Sequence, residues 1–168
     1  MAGVNPRSAK AGRFVSNASP AQRRTRSPAS PVERRGYLID NSVLQKLARS
    51  ANIRRRFEEI TNTYPIYTCP PQVLEYCWSA RNPAEYAEFR RDMELYTPAV
   101  NTPNQSEVLD IQQALWDNGL MRGAGNTDVL IAAYAITNDL TILTADHDFE
   151  HIQRALGAGR FRQEFVSE

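Results

Sequence analysis

Short apolar runs alternate along the chain with segments of helical periodicity, and this alternation limits the possible folds more than any other feature of the sequence. The runs YLID, PIYTC, TPAV and TILT have the length and composition of strands, and FRQEFV near the end is a further candidate. Between them lie segments in which apolar residues recur at helical spacing. Strands that alternate with helices predict an α/β sandwich with a largely parallel sheet.

The most informative helix precedes the TILT strand. Its sequence, DVLIAAYAIT, is almost entirely apolar after Asp128, which predicts a helix buried on most of its faces. Thr127 is a suitable N-cap for this helix. Another helix is predicted to begin at Pro70 and Pro71, because proline in a first turn loses no helical hydrogen bond.

Charge divides the chain into two parts. Residues 1–35 contain eight basic residues and one acid, a net charge of +7, whereas residues 36–168 contain 12 bases and 18 acids, a net charge of −6. The first part has few large apolar residues and much Ser, Pro, Ala and Gly, so we predict a disordered basic arm. Two interpretations of this arm are open. It binds phosphates loosely, or it is a dispensable tail or the product of a start codon assigned too far upstream. Residues 36–168 are predicted to form one domain.

Composition argues against several classes of protein. No apolar run approaches the ~20 residues of a membrane span, so no membrane role is expected. The opening MAGVNPRSAK lacks the apolar stretch of a secretory signal, which makes a cytoplasmic location the expectation. Cys69 and Cys77 provide no disulfide framework and match no common metal spacing, and we expect both to be buried thiols.

Acidic residues follow the predicted strands. Asp40 comes after the first strand, Asp146 and Asp148 come after the fourth, and Asp128 lies in the first turn of the buried helix. The carboxyl ends of parallel strands border the ligand crevice of an α/β sheet, so these side chains are expected to converge. Glu75, on a helix otherwise rich in apolar residues, is a fifth candidate.

Carboxylates that lie close together repel one another. Two carboxylates 4 Å apart repel by roughly 4 kcal/mol at an effective dielectric constant near 20. Protonation or a cation must relieve this repulsion, and oxygen-only ligands suit Mg²⁺ or Mn²⁺. A divalent cation among carboxylates suits phosphodiester hydrolysis, because the cation activates a water and stabilises charge on the phosphate.

Each acid also has a structural interpretation. Asp128 and Asp146 are suitable for helix N-termini, and Asp148 and Glu150 are suitable for a solvated surface. His147 and His151 lie four residues apart, a spacing that zinc ligands can use, but no third ligand accompanies them and we do not predict zinc. The occurrence of these acids together, and not any one of them alone, favours a functional site.

Three segments together resemble a known family. YLIDNSVL, PPQVLEYCWSAR and GNTDVLIAAYAITNDLTILTADHDFEHI are similar to the PIN-domain ribonucleases, especially the VapC-type toxins of bacterial toxin–antitoxin pairs. The resemblance spans Gly36 to about Phe165. It implies a three-layer sandwich in which a mostly parallel sheet of four to five strands is flanked by helices.

The resemblance also implies roles for individual residues. Its motifs place a Mg²⁺-binding acidic quartet on Asp40, Glu75, Asp128 and Asp146, with Asp40, Asp128 and Asp146 as the metal anchors. Asp148 matches a commonly acidic neighbour, and Ser42 and Thr144 match polar residues that brace the pocket. Asn41 departs from the family, which commonly has threonine there, and the basic arm has no counterpart in the typical toxin.

The sequence therefore predicts a Mg²⁺-dependent endoribonuclease, the toxin of a VapBC-like pair, that hydrolyses RNA with a metal-activated water; Mn²⁺ is the alternative cofactor. The resemblance implies a homodimer silenced by a small antitoxin. Arg81 and Arg122 flank the motifs and are our candidates for RNA binding, against the alternative of ordinary surface arginines.

Two other functions compete with this one. The first is a binding module of the same fold with a weakened site, which holds nucleic acid through the basic arm. The second is a phosphoryl-transfer domain such as a receiver or phosphatase. It needs a well-placed lysine, and Lys10 and Lys46 are the only lysines, neither at a predicted strand end, so we disfavour it.

Overall fold

Within residues 36–168, five short strands form one sheet in which every neighbouring pair is parallel. The structure is a computed structural model that describes residues 36–168; the predicted disordered arm, residues 1–35, lies outside the described residues. The sheet order is β3-β2-β1-β4-β5. The strands are β1 (Tyr37–Ile39), β2 (Ile66–Thr68), β3 (Thr97–Pro98), β4 (Thr141–Thr144) and β5 (Gln163–Phe165).

Helices connect these strands and cover both faces of the sheet. Within residues 36–168 they are α1 (Asn41–Lys46), α2 (Ala51–Thr61), α3 (Pro70–Trp78), α4 (Pro83–Met93), α5 (Gln105–Asp117), α6 (Asn126–Thr137) and α7 (Asp148–Leu156). The predicted parallel α/β sandwich is confirmed, as is the start of α3 at its proline pair. In this described part of the chain no helix combines the length and apolarity that crossing a membrane requires.

Helix α6 begins two residues earlier than predicted. The helix begins at Asn126, after Gly125, so Thr127 lies inside the first turn and is not the N-cap. The reason is that the Asp128 carboxylate accepts a hydrogen bond of 2.8 Å from the backbone N–H of Gly125. This bond satisfies an amide at the helix start and leaves no capping role for Thr127.

Alternating residues of the central strands supply two cores, one on each face of the sheet. Leu38 of β1 and Ile142 of β4 pack with the apolar sides of α5, α6 and α7. Their neighbours Ile39 and Leu143 pack on the opposite face with α1 and α2. Cys69 and Cys77 are buried thiols, as the sequence predicts. Because both faces are covered, β1 and β4 are held rigidly at the centre of the molecule.

The central position of β1 gives a test of the fold. Leu38 is fully buried, so Leu38→Ala should lower the free energy of unfolding by about 2–5 kcal/mol, through lost apolar contact and the cavity left behind. Leu74→Ala is the matched control, because this leucine on α3 is 70% exposed and its loss should cost less than about 0.5 kcal/mol. Urea unfolding of both variants measures the difference, and equal effects would contradict the described packing.

Candidate active site

The carboxyl end of β1 supplies the most buried acid of the domain. Asp40 follows β1 directly and is only 5% exposed. Its backbone N–H donates to the carbonyl of Leu143 in β4 (2.9 Å), which continues the β1–β4 ladder by one residue. The side chain therefore stands beside the end of β4, at the carboxyl edge of the sheet.

Two hydroxyl groups hold the Asp40 carboxylate. Its Oδ2 accepts hydrogen bonds from the Ser42 backbone N–H (3.2 Å), from the Ser42 hydroxyl and from the Thr144 hydroxyl (3.0 Å). The hydroxyls in turn accept backbone N–H bonds from Ala145 (2.8 Å, to Ser42) and Asp146 (3.0 Å, to Thr144). These bonds from Ser42 and Thr144 all go to Oδ2, and Oδ1 accepts none of them.

Burial dominates the protonation equilibrium of Asp40. Removal from water disfavours the charged form and raises the pKa of this carboxyl above its ordinary value. The hydrogen bonds from Ser42 and Thr144 lower the pKa, but they offset only part of that rise. Asp40 is thus a carboxyl group whose ionised form gains from a nearby cation.

Asp128 shares this environment. It lies at the third position of α6 and is partly buried, and its pKa is raised to about 6. Burial is the largest cause, and the negative charges of Asp148, Asp40 and Glu75 add to it, while the hydrogen bond from Gly125 opposes the rise. Four acids from four separate parts of the chain therefore interact electrostatically.

Glu75 is oriented by an amide network that sequence reasoning did not find. The buried Asn41 donates from Nδ2 to Glu75 Oε2 (2.9 Å) and to the backbone carbonyl of Gln72 (3.1 Å). Its Oδ1 accepts a bond of 2.7 Å from Nε2 of Gln72, whose side chain is fully buried. The available signals were the unusual Asn41 and the placement of Gln72 three residues before Glu75, on the same helix face.

The acids after β4 lie nearer to solvent. Asp146 is exposed, and Asp148, the first residue of α7, is partly buried. Burial raises the pKa of Asp148, and the charge of Asp146 adds to this rise. The two histidines are directed apart, because His147 pairs with Glu150 (2.9 Å) whereas the His151 ring lies against Gly123.

The structure places the two candidate arginines differently. Arg81 lies in the turn between α3 and α4 and is bound to Glu85, with an N–O distance of 2.6 Å. Arg122 is exposed in the turn before α6 and makes no salt bridge within residues 36–168. Sequence reasoning placed Lys46 away from any predicted strand end and gave it no role. Its amine reaches the end of β4 and donates to the Ala145 carbonyl (3.0 Å), although the residue lies on α1.

The donor set fits a hard divalent cation, although the acids are not yet in ligand contact. Among the described residues, no three His, Cys, Asp or Glu side chains lie close enough together to hold a metal ion. The charges of Asp148, Asp40 and Glu75 nevertheless add to the burial that raises the pKa of Asp128, and Asp40 keeps one carboxylate oxygen free of the Ser42 and Thr144 bonds. A cation with oxygen preference would relieve this repulsion.

Comparison with known proteins identifies relatives of the chain. The model of the PIN domain family matches residues 37–155. The chain is 33% identical over 121 residues to ribonuclease VapC21 of Mycobacterium tuberculosis, an alignment that covers 69% of this chain and 85% of the relative.

Solved structures share the fold at low sequence identity. The structure of VapBC2 from Rickettsia felis, bound to a DNA fragment from its promoter, aligns with a TM-score of 0.59 and 16% identity, over 78% of this chain and 98% of that one. DNA-bound VapBC from Salmonella typhimurium also gives a TM-score of 0.59, with 19% identity over 77% of this chain and 97% of that one. The arrangement of strands and helices is therefore shared by these proteins.

The raised pKa of Asp128 predicts a pH-dependent stability. The folded protein keeps a proton on Asp128 up to about pH 6, whereas an ordinary aspartate loses it near 3.8. The free energy of unfolding should therefore fall as the pH rises through this window. Without metal, Asp128→Asn should be more stable than the parent above pH 6, by about 1 kcal/mol after allowance for partial exposure, and this advantage should disappear near pH 4.

Urea unfolding in EDTA at several pH values measures this difference. Asp110→Asn is the matched control, since it removes an exposed carboxylate from α5. A stability gain for Asp128→Asn that is the same at pH 4 and pH 7.5 would contradict the described environment of Asp128.

Proposed function

Because the chain belongs to the PIN domain family, we propose that it is a Mg²⁺-dependent endoribonuclease, the toxin of a VapBC-like pair, with residues 36–168 as its nuclease domain. The observation that carries the proposal is the electrostatic coupling of Asp40, Glu75, Asp128 and Asp148 at the carboxyl edge of the sheet. Similarity to a relative named as a ribonuclease supports RNA as the substrate.

The proposed metal ligands are Asp40, Asp128 and Asp146. When bound, Mg²⁺ or Mn²⁺ lowers the pKa of a water and stabilises negative charge on the phosphate. Asp40 suits the role of ligand because Ser42 and Thr144 fix its Oδ2 and leave Oδ1 available. Asp128 is fixed through its bond to Gly125. Among residues 36–168 Asp146 makes hydrogen bonds only through its backbone, and its exposed carboxylate would be able to move onto a ligand.

Glu75 is proposed to complete the catalytic group. Asn41 holds its Oε2, and its Oε1 has no partner within residues 36–168. A carboxylate oxygen that is oriented but unoccupied can accept a proton from an attacking water or position that water. Asp148 would support the group electrostatically, since it acts on Asp128 without contact.

Substrate binding must overcome repulsion between the acids and the RNA backbone. The cation neutralises part of this charge, and arginines near the site would neutralise more. Of the two candidates, Arg122 is available to a phosphate, whereas Arg81 must first leave Glu85. Arg122 is therefore the stronger candidate for RNA binding.

The proposed partners follow from the VapBC relationship. The solved relatives from R. felis and S. typhimurium are VapBC proteins bound to DNA. We propose that a small antitoxin covers the acidic groove of this chain with a basic segment, that the chain forms a homodimer, and that it acts on RNA in the cytoplasm. Co-expression with the upstream gene product and mass measurement of the purified complex would test these assignments.

One observation favours a second candidate function. The described acids are not assembled into a ready metal site, as a binding module with a weakened centre would require. Such a module would depend on the +7 charge of residues 1–35. Removal of these residues would abolish most of its RNA affinity, whereas a metal-dependent nuclease would still cleave.

Cleavage of total cellular RNA by the purified protein tests the nuclease directly. Discrete fragments are expected with Mg²⁺ and none with EDTA. Asp40→Asn and Asp128→Asn should each lower the rate by a factor of about 10² or more, because loss of a metal ligand weakens both binding and charge stabilisation. Asp110→Asn is the control and should cleave like the parent. Cleavage at the parental rate by folded Asp128→Asn would disprove the proposed mechanism.

The amide network predicts a coupled effect on activity. Asn41→Ala removes the bond to Glu75, so the rate should fall roughly tenfold, as expected for one hydrogen bond to a charged group. In a Glu75→Gln background the same substitution should have little further effect. Asn62→Ala, which changes an exposed residue at the end of α2, controls for loss of an amide. Full additivity of the two substitutions would show that Asn41 does not act through Glu75.

A further inference from the structure

A cavity adjoins the acidic site and is lined in part by a lysine and two aromatic rings. It has a volume of about 500 Å³, within the usual range for small-ligand sites. Its lining includes Ser42, Lys46, Asp146, His147, Phe165 and Glu168. Ser42 and Asp146 belong to both places, so a molecule in this cavity would lie directly beside the proposed catalytic acids.

The Lys46 amine places a positive charge in the cavity. The amine of Lys46 donates to the Ala145 carbonyl (3.0 Å) and pairs with Glu168 Oε1 (3.0 Å). The carbonyl bond fixes the amine next to the residue that precedes Asp146. The pair with Glu168 is partly exposed, at 34% for the Lys46 side chain and 67% for Glu168, so an incoming anion can replace this carboxylate.

The cavity also contains an aromatic platform. The His147 ring stacks on Phe165 with a centroid distance of 4.4 Å and an interplanar angle of 23°. The His147 side chain is 68% exposed, so the ring face away from Phe165 is open to solvent. A supported ring with one open face is the usual receptor for an unstacked nucleic-acid base.

We propose that this cavity binds the RNA nucleotide adjacent to the scissile phosphate. The Lys46 amine takes the backbone phosphate in place of Glu168, and the base stacks on the open face of His147. The proposal rests on the proposed ribonuclease function, because it is the shared wall of Ser42 and Asp146 that places this nucleotide next to the cleaved bond. A cation and a stacking surface at one cavity match the two components of a nucleotide.

Salt-dependent binding separates a phosphate contact from a structural role. The full-length protein carries Asp128→Asn in every sample, so that a short fluorescent single-stranded RNA stays intact, and anisotropy is measured between about 50 and 200 mM salt. Lys46→Gln should weaken binding about five- to tenfold and lower the slope of log affinity against log salt by about 0.7. Lys46→Arg should restore the slope, because the cation is retained.

Two further variants test the rest of the cavity. Glu168→Gln removes the competing carboxylate and should tighten binding. His147→Ala should weaken binding by about fivefold or more through lost stacking.

Arg160→Gln is the matched control for charge. Arg160 is exposed in the turn between α7 and β5, at the opposite edge of the parallel sheet from the acids. This variant should leave the salt slope near that of the parent. Urea unfolding of each variant distinguishes lost contacts from lost folding.

These measurements distinguish failure of the proposed nucleotide site from failure of the proposed nuclease function. If folded Lys46→Gln and Arg160→Gln give the same salt slope, or if Glu168→Gln weakens binding, the cavity does not hold a phosphate. This result would leave metal-dependent cleavage by the parent unaffected. Conversely, Lys46-dependent binding by a parent that never cleaves RNA would disprove the nuclease and retain a nucleotide site.

Discussion

Repulsion between carboxylates at one edge of the sheet is the constraint on which the rest of this structure depends. Burial raises the pKa of Asp128 to about 6, and the charges of Asp148, Asp40 and Glu75 add to this rise. Rigid elements must hold the carboxylates in place against their repulsion. The two buried cores around β1 and β4 provide that rigidity. This unfavourable charge is what the proposed divalent cation would neutralise.

The surrounding polar residues direct the carboxylates. Ser42 and Thr144 bind one oxygen of Asp40, and Asn41 binds one oxygen of Glu75. In both cases the second oxygen has no partner among the described residues. The same segment after β1 thus orients two acids, and its helix continues to Lys46, whose amine donates to the Ala145 carbonyl at the end of β4.

The sequence predicted most of the fold because strand and helix periodicities are local properties. The parallel direction of the strands and the burial of α6 both follow from these periodicities, whereas the start of α6 does not. There the Asp128 carboxylate bonds to Gly125, a choice between two capping groups that local propensity cannot decide. Positions of acids at strand ends were predictable for a similar reason, since topology brings strand ends together.

Contacts between side chains from distant elements were not predictable. Asn41 meets Gln72 across 31 residues and Lys46 meets Ala145 across 99, and no periodicity encodes such pairs. Resemblance to a family did not supply them either, since Asn41 is a departure from the common pattern. Contacts of this kind can be identified only from the three-dimensional structure, in which the orientations of the helices are known.

The central claim is that the acidic edge binds a divalent cation. Crystals of the protein grown with Mn²⁺ and measured by anomalous diffraction test it most directly. The account predicts an anomalous peak about 2.1 Å from carboxylate oxygens of Asp40 and Asp128, with the Asp146 side chain moved toward it. No peak at this edge under saturating Mn²⁺, or a peak only elsewhere on the molecule, would contradict the account.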